Sequence, residues 1–161
     1  MKYSMRGNVD PFIVMDVMEN ARKAEEGGRK IIHMEVGQPS TAAPSDALER
    51  TSQIIKSNPL GYTVALGLPE LRKKISDLYG RWYNLDLDPS RVIITSGSSG
   101  AFILSFTALF EEGARVGIGA PGYPSYRQIL KSLGILPVDI MTNFENKFQP
   151  TANDVMSQNL D

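Results

Sequence analysis

The chain has 161 residues, enough for one domain or for the first part of a larger one. Its 42% hydrophobic and 22% charged residues are an ordinary globular balance. Lys+Arg 17 against Asp+Glu 18 leaves a formal charge of -1 with no block of one sign, which argues against a nucleic-acid tract or a polybasic membrane anchor. The absence of cysteine removes disulfides, thiol nucleophiles and thiolate metal clusters, and a single histidine, His33, argues against transition-metal sites and a Ser-His-acid arrangement.

Asp10-Pro11 predicts a helix start, Asp as N-cap and Pro at the first helical position, with Val14, Val17, Met18 and Ala21 on one face and Gly27-Gly28 at the end. Residues 31–36, around His33, read as a strand and give that histidine a structural role. Ser45 is positioned to cap a second helix with Leu48, Thr51 and Ile55 inward, broken at Asn58-Pro59. Pro69 opens a third helix carrying Leu71, Ile75, Leu78 and Trp82 at helical spacing. Residues 91–95 predict a strand, about 101–110 a helix, 116–119 a strand, the stretch through Tyr126, Ile129, Leu130 and Leu133 a helix ended by Gly134, and 135–140 a further strand. This alternation predicts an α/β fold with a mostly parallel sheet. Residues 151–161 read as a short helix leading toward another strand, so the sheet is expected to be incomplete and the chain truncated. No signal-peptide run follows the opening MKYSMRGNVDPF, and no apolar stretch has bilayer length, so the expected location is the cytoplasm, with no membrane and no nucleic-acid partner.

Four segments hold candidate chemistry. Ser96-Gly97-Ser98-Ser99-Gly100 joins a strand to a helix; small residues, hydroxyls and the positive helix end suit a phosphate, although a plain capped turn has the same sequence. It lacks the P-loop lysine, the dinucleotide glycine fingerprint and the nucleophile-elbow spacing. Tyr123, in Pro121-Gly122-Tyr123-Pro124-Ser125-Tyr126, follows a strand and offers a ring to stack on a flat ligand, or ordinary loop packing. Gly61-Tyr62-Thr63 with Gly67-Leu68-Pro69-Glu70-Leu71-Arg72 puts a tyrosine hydroxyl in a loop before a helix. Gly37, in Val36-Gly37-Gln38-Pro39-Ser40, presents a backbone amide after a strand.

In this order and spacing the four segments resemble the class I/II, fold-type I aminotransferases that use pyridoxal 5'-phosphate (PLP), over about residues 9–140. The resemblance implies a three-layer α/β/α architecture with a mostly parallel sheet, here an incomplete large domain. Residues 1–44 would be the arm, helix and first strand on the small-domain side, and 45–161 the first part of the PLP-binding large domain. It implies that Ser98, Ser99 and Gly100 hold the cofactor phosphate and that Tyr123 stacks on the pyridine ring. Tyr62 would reach the phosphate of a neighbouring subunit's cofactor in a homodimer with shared active sites, and the Gly37 backbone would meet the substrate carboxylate. Ser99 stands where some relatives have threonine or lysine.

The substrates implied are an amino acid and a 2-oxo acid, with β-elimination or aminocyclopropane synthesis as other uses of the same cofactor. The family's Schiff-base lysine, pyridinium-binding aspartate and carboxylate-binding arginine lie further along the chain, so no catalytic residue is assigned and the 161 residues alone are expected to be inactive. The competing readings are a non-catalytic chain that binds a phosphate or a partner with the same surface, and a dehydrogenase or serine hydrolase, which lacks its fingerprints here.

Overall fold

A computed structural model describes residues 3–161; the first two positions of the opening stretch lie outside the described residues. The chain divides into two compact units, one taking in the residues up to Val36 together with Ser96–Asp161, the other Gly37–Thr95.

In the first unit a 3-10 turn at Met5–Gly7 precedes α1, Ile13–Glu26. The helix begins later than Asp10 predicts, and its N-cap residue Phe12 makes no side-chain cap. The Asp10 carboxylate is instead bound by Lys131, an ion pair that competes directly with capping. Gly28, at φ +84, ends the helix as expected, and the Arg29 amide donates to the Ala24 carbonyl at 3.0 Å. Helix α4 spans Gly97–Leu109, four residues earlier than predicted: the serine-glycine corner is the first turn of the helix. Strand β1, Arg115–Ala120, helix α5, Pro124–Ser132, and strand β2, Leu136–Met141, follow. β1 and β2 pair in parallel, in register from Arg115 with Leu136 to Ala120 with Met141. The core sits where α5 meets β2: Leu130, Ile135 and Ile140 are its buried hydrophobic side chains among the described residues.

Beyond β2, α6, Ala152–Met156, carries a full capping box between Thr151 and Asp154. The chain then returns to β1: the Asp161 amide donates to the Arg115 carbonyl at 3.1 Å, and the Arg115 amide donates to the Asp161 carboxylate at 2.7 Å. The Leu136 amide takes the Ala114 carbonyl at 2.8 Å. Alternate carbonyls of a strand face opposite sides, so β2 and residue 161 use opposite edges of β1.

The second unit holds α2, Ser45–Ser57, and α3, Pro69–Tyr83, with Pro69 at the first helical position as predicted. Ser45 lies inside α2 and Pro44 is its N-cap, so the predicted serine cap is not made. Leu48, Thr51 and Ile55 of α2 are exposed rather than inward, and Trp82 of α3 is exposed as well.

The predicted strands at 31–36 and 91–95 are not strands: neither stretch joins the sheet, which has two strands among the described residues. Residues 92–94 are tied down by other means. The Arg72 guanidinium donates through Nε to the Val92 carbonyl at 2.9 Å and through Nη2 to the Pro89 carbonyl at 2.8 Å. The Ile94 amide donates to the Leu66 carbonyl at 3.0 Å. Gly67, buried at φ +97, lies so close that a Cβ there would meet Ile94 Cγ1 at 2.4 Å.

Candidate functional site

The start of α4 has features that suit a negative guest. Its N-cap Ser96 makes no side-chain capping hydrogen bond, and no acidic residue sits in the first turn. The Ser96 side chain therefore does not compete for the amides of that turn, and the helix dipole adds positive potential with no acidic residue in the first turn to offset it. Ser98 and Ser99 lie in that turn with Gly100, and both serines are exposed. The absence of acid and the presence of hydroxyls fit a phosphate ester.

Tyr123 is the N-cap residue of α5, half exposed, at the carboxyl end of β1. A hollow of about 170 Å³ opens there, lined by Gly119, Ala120, Gly122, Tyr123, Tyr126 and Arg127. A side chain at position 122 would put its Cβ 2.3 Å from the Gly119 carbonyl oxygen, so only glycine allows the backbone to turn this tightly into Tyr123. The Arg127 guanidinium is held by Asp139 of β2. A larger open groove, about 580 Å³, lies in the second unit around Ser76, Asp77, Arg81 and Asp86. Its Asp77 is paired with Lys73, and none of the residues singled out from sequence lines it.

Within the first unit, aromatic contacts join the two candidate segments. The Tyr123 and Tyr126 ring centres are 5.3 Å apart at 77°, and those of Tyr126 and Phe102 are 4.7 Å apart at 69°. Phe102 stands one helical turn beyond Ser98 in α4. Tyr62 and Gly37 belong to the second unit. Tyr62 is fully exposed, and nothing lies within 4 Å of where a Cβ on Gly37 would sit.

Sequence reasoning missed three arrangements. The Tyr126–Phe102 contact had a signal in the four-residue spacing of Phe102, Phe106 and Phe110, which form an aromatic stripe along α4. The Arg72 clamp on the backbone had none. His33, read as a strand residue, is partly exposed and bridges two carboxylates: Nδ1 lies 2.7 Å from Glu35 and Nε2 3.1 Å from Glu25. Those two hydrogen bonds raise its pKa above 6.5, and the bond to His33 holds Glu35 below the ordinary carboxylate value. Among the described residues no three His, Cys, Asp or Glu side chains converge as metal ligands, and no helix is long and apolar enough to cross a membrane.

Known proteins carry the same pattern. The aminotransferase class I and II family matches residues 29–159. Valine–pyruvate aminotransferase of Mycobacterium tuberculosis is 42% identical over 94% of this chain, which covers 39% of that relative. The crystal structure of an aminotransferase from the same organism is 40% identical, with a TM-score of 0.93 over 99% of this chain and 41% of its own. A candidate aminotransferase from Silicibacter pomeroyi is 58% identical, with a TM-score of 0.87 over 99% of this chain and 40% of its own. The chain thus spans about two fifths of the length of the relatives it matches, and its α/β fold with a parallel sheet is part of a fold-type I large domain. The chain belongs to the class I and II aminotransferases, whose members use pyridoxal 5'-phosphate.

Proposed function

We propose that this chain supplies the phosphate-binding helix start and the stacking ring of an aminotransferase exchanging an amino acid with a 2-oxo acid. The carrying observation is the acid-free, serine-bearing start of α4, joined through Phe102 and Tyr126 to Tyr123. Ser98, Ser99 and Gly100 bind the phosphate through amides and hydroxyls, and Tyr123 lies against the pyridine ring. The cofactor, when bound, supplies the electron sink for proton loss at the amino-acid Cα. Gly37 receives the substrate carboxylate through its backbone. Tyr62, fully exposed here, reaches a second copy's cofactor in a cytoplasmic homodimer. Residues 1–44 form the arm and small-domain side, and 45–161 begin the large domain. The 161 residues alone carry no assigned Schiff-base lysine and do not turn over.

The test is titration of the chain with pyridoxal 5'-phosphate and with pyridoxal. Binding that depends on the phosphate, and that weakens roughly tenfold when Ser98 and Ser99 are both changed to alanine, supports the reading. Equal affinity for the two aldehydes would sink it. Borohydride treatment followed by mass spectrometry separates the inactivity claim, since a pyridoxyl group fixed to a lysine of the chain would refute it.

A further inference from the structure

We propose that Tyr126 is a positioning residue whose ring, held between Tyr123 and Phe102, sets the spacing between the aromatic platform and the phosphate-binding start of α4. This rests on the cofactor reading above and adds a residue to it. Tyr126 follows Tyr123 by three positions, so one turn of α5 brings the two rings together. Both of its aromatic contacts are near-perpendicular, at 5.3 and 4.7 Å, within the range that such pairs favour. Phe102 is four residues beyond Ser98, and a helical side chain leans back over the turn before it, here the turn that carries Ser98 and Ser99. Phe102 is itself backed by Phe106 at 5.7 Å, and Phe106 by Phe110 at 6.1 Å. The stripe therefore runs from Phe110 back to Phe102, which touches Tyr126, and Tyr126 in turn touches Tyr123. On the other side, the Gly119 carbonyl blocks any Cβ at Gly122 and limits how the backbone enters Tyr123. The Tyr123 ring is thus fixed by its backbone and by one neighbouring ring. Tyr126 acts through that neighbour contact, with its ring as the working part.

The experiment compares the full chain with Tyr126→Leu, Tyr126→Phe and Phe102→Leu. Equilibrium dialysis measures affinity for pyridoxal 5'-phosphate and, separately, for inorganic phosphate; circular dichroism of the cofactor band reports how the ring is held. Tyr126→Leu is expected to weaken pyridoxal 5'-phosphate roughly tenfold, the size of one or two edge-to-face contacts, and to reduce the induced signal. Inorganic phosphate affinity should stay unchanged, and Tyr126→Phe should behave as wild type. Phe102→Leu should give the same pattern, which keeps the idea testable if Tyr126→Leu does not fold. Unchanged cofactor affinity and dichroism in both leucine variants, or an equal loss of inorganic phosphate, would overturn the positioning role alone. A wild-type chain that binds neither ligand would overturn the cofactor site, and this role with it.

Discussion

Replacing Gly67 by alanine tests the packing that holds residues 92–94 without a strand partner. Two separate costs arise at that position. The backbone sits at φ +97, which an L side chain tolerates poorly, at about 1–2 kcal/mol. The new Cβ would also lie 2.4 Å from Ile94 Cγ1 and 2.6 Å from Ile94 Cβ, and overpacking of this kind costs about 1–3 kcal/mol. The sum is about 2–5 kcal/mol, a large share of the roughly 5–15 kcal/mol that stabilises a domain. Urea denaturation followed by the fluorescence of Trp82, on α3 in the same unit, reads it directly. With a urea slope of about 2 kcal/mol per molar, the midpoint should fall by roughly 1–2.5 M. Gly28→Ala is the control, because φ is +84 there but nothing lies within 4 Å of the new Cβ. It should cost only the conformational part, about 1 kcal/mol, followed by far-ultraviolet dichroism. A Gly67→Ala unfolding free energy within about 0.5 kcal/mol of wild type would refute the reasoning.

Three further outcomes are expected. His33 is stabilised in its charged form by Glu35 and Glu25, so its folded pKa is raised above 6.5. Its contribution is therefore complete below that value and is lost as pH climbs through the raised one. The gap in melting temperature between wild type and His33→Gln should be wider at about pH 5.5 than at about pH 8.5, and an equal gap at both would contradict the bridge. Arg72→Lys should lower the unfolding free energy measured by urea denaturation by about 1–3 kcal/mol, because a lysine cannot reproduce the fork that serves the Pro89 and Val92 carbonyls; a silent substitution would mean water replaces it. Thr151→Ala removes the cap of α6 and should speed amide exchange at Asp154 and Val155 about fivefold, equivalent to about 1 kcal/mol; unchanged exchange would count against the capping box as a source of order.

What could be read from the residues was mostly local chemistry. Pro69 fixed a helix start because its ring presets φ and its missing amide costs nothing in the first turn. The β1–α5–β2 order followed from periodicity bounded by Gly113 and Gly134. Failures came where a distant group decided the outcome. The apolar runs at 31–36 and 91–95 carry the signature of strands, but a ladder needs a partner, and pattern alone does not supply one. Asp10 looked like a cap until Lys131, 121 residues away in sequence, claimed its carboxylate. The α4 boundary was set four residues late because glycine and serine read as loop, whereas here they form the first turn of the helix. Within the candidate site, the serines and Tyr123 could be named from sequence, whereas Tyr126 and Phe102 became visible only when α4 and α5 were set side by side.

Helix α4 has no charged residue, and its apolar side chains, among them Phe102, Ile103, Leu104, Phe106 and Leu109, point in every direction around the axis. Ile103, Leu104 and Leu109 of this helix are exposed to solvent in this structure. Coulomb attraction scales inversely with the surrounding dielectric, and falls roughly fourfold on going from an effective value near 20 to bulk water. Whatever apolar surface comes to sheathe α4 therefore strengthens the pull that its leading amides exert on a negative group. Changing Leu104 or Leu109, far from the serines, to a charged residue would then act as a remote dimmer on that pull.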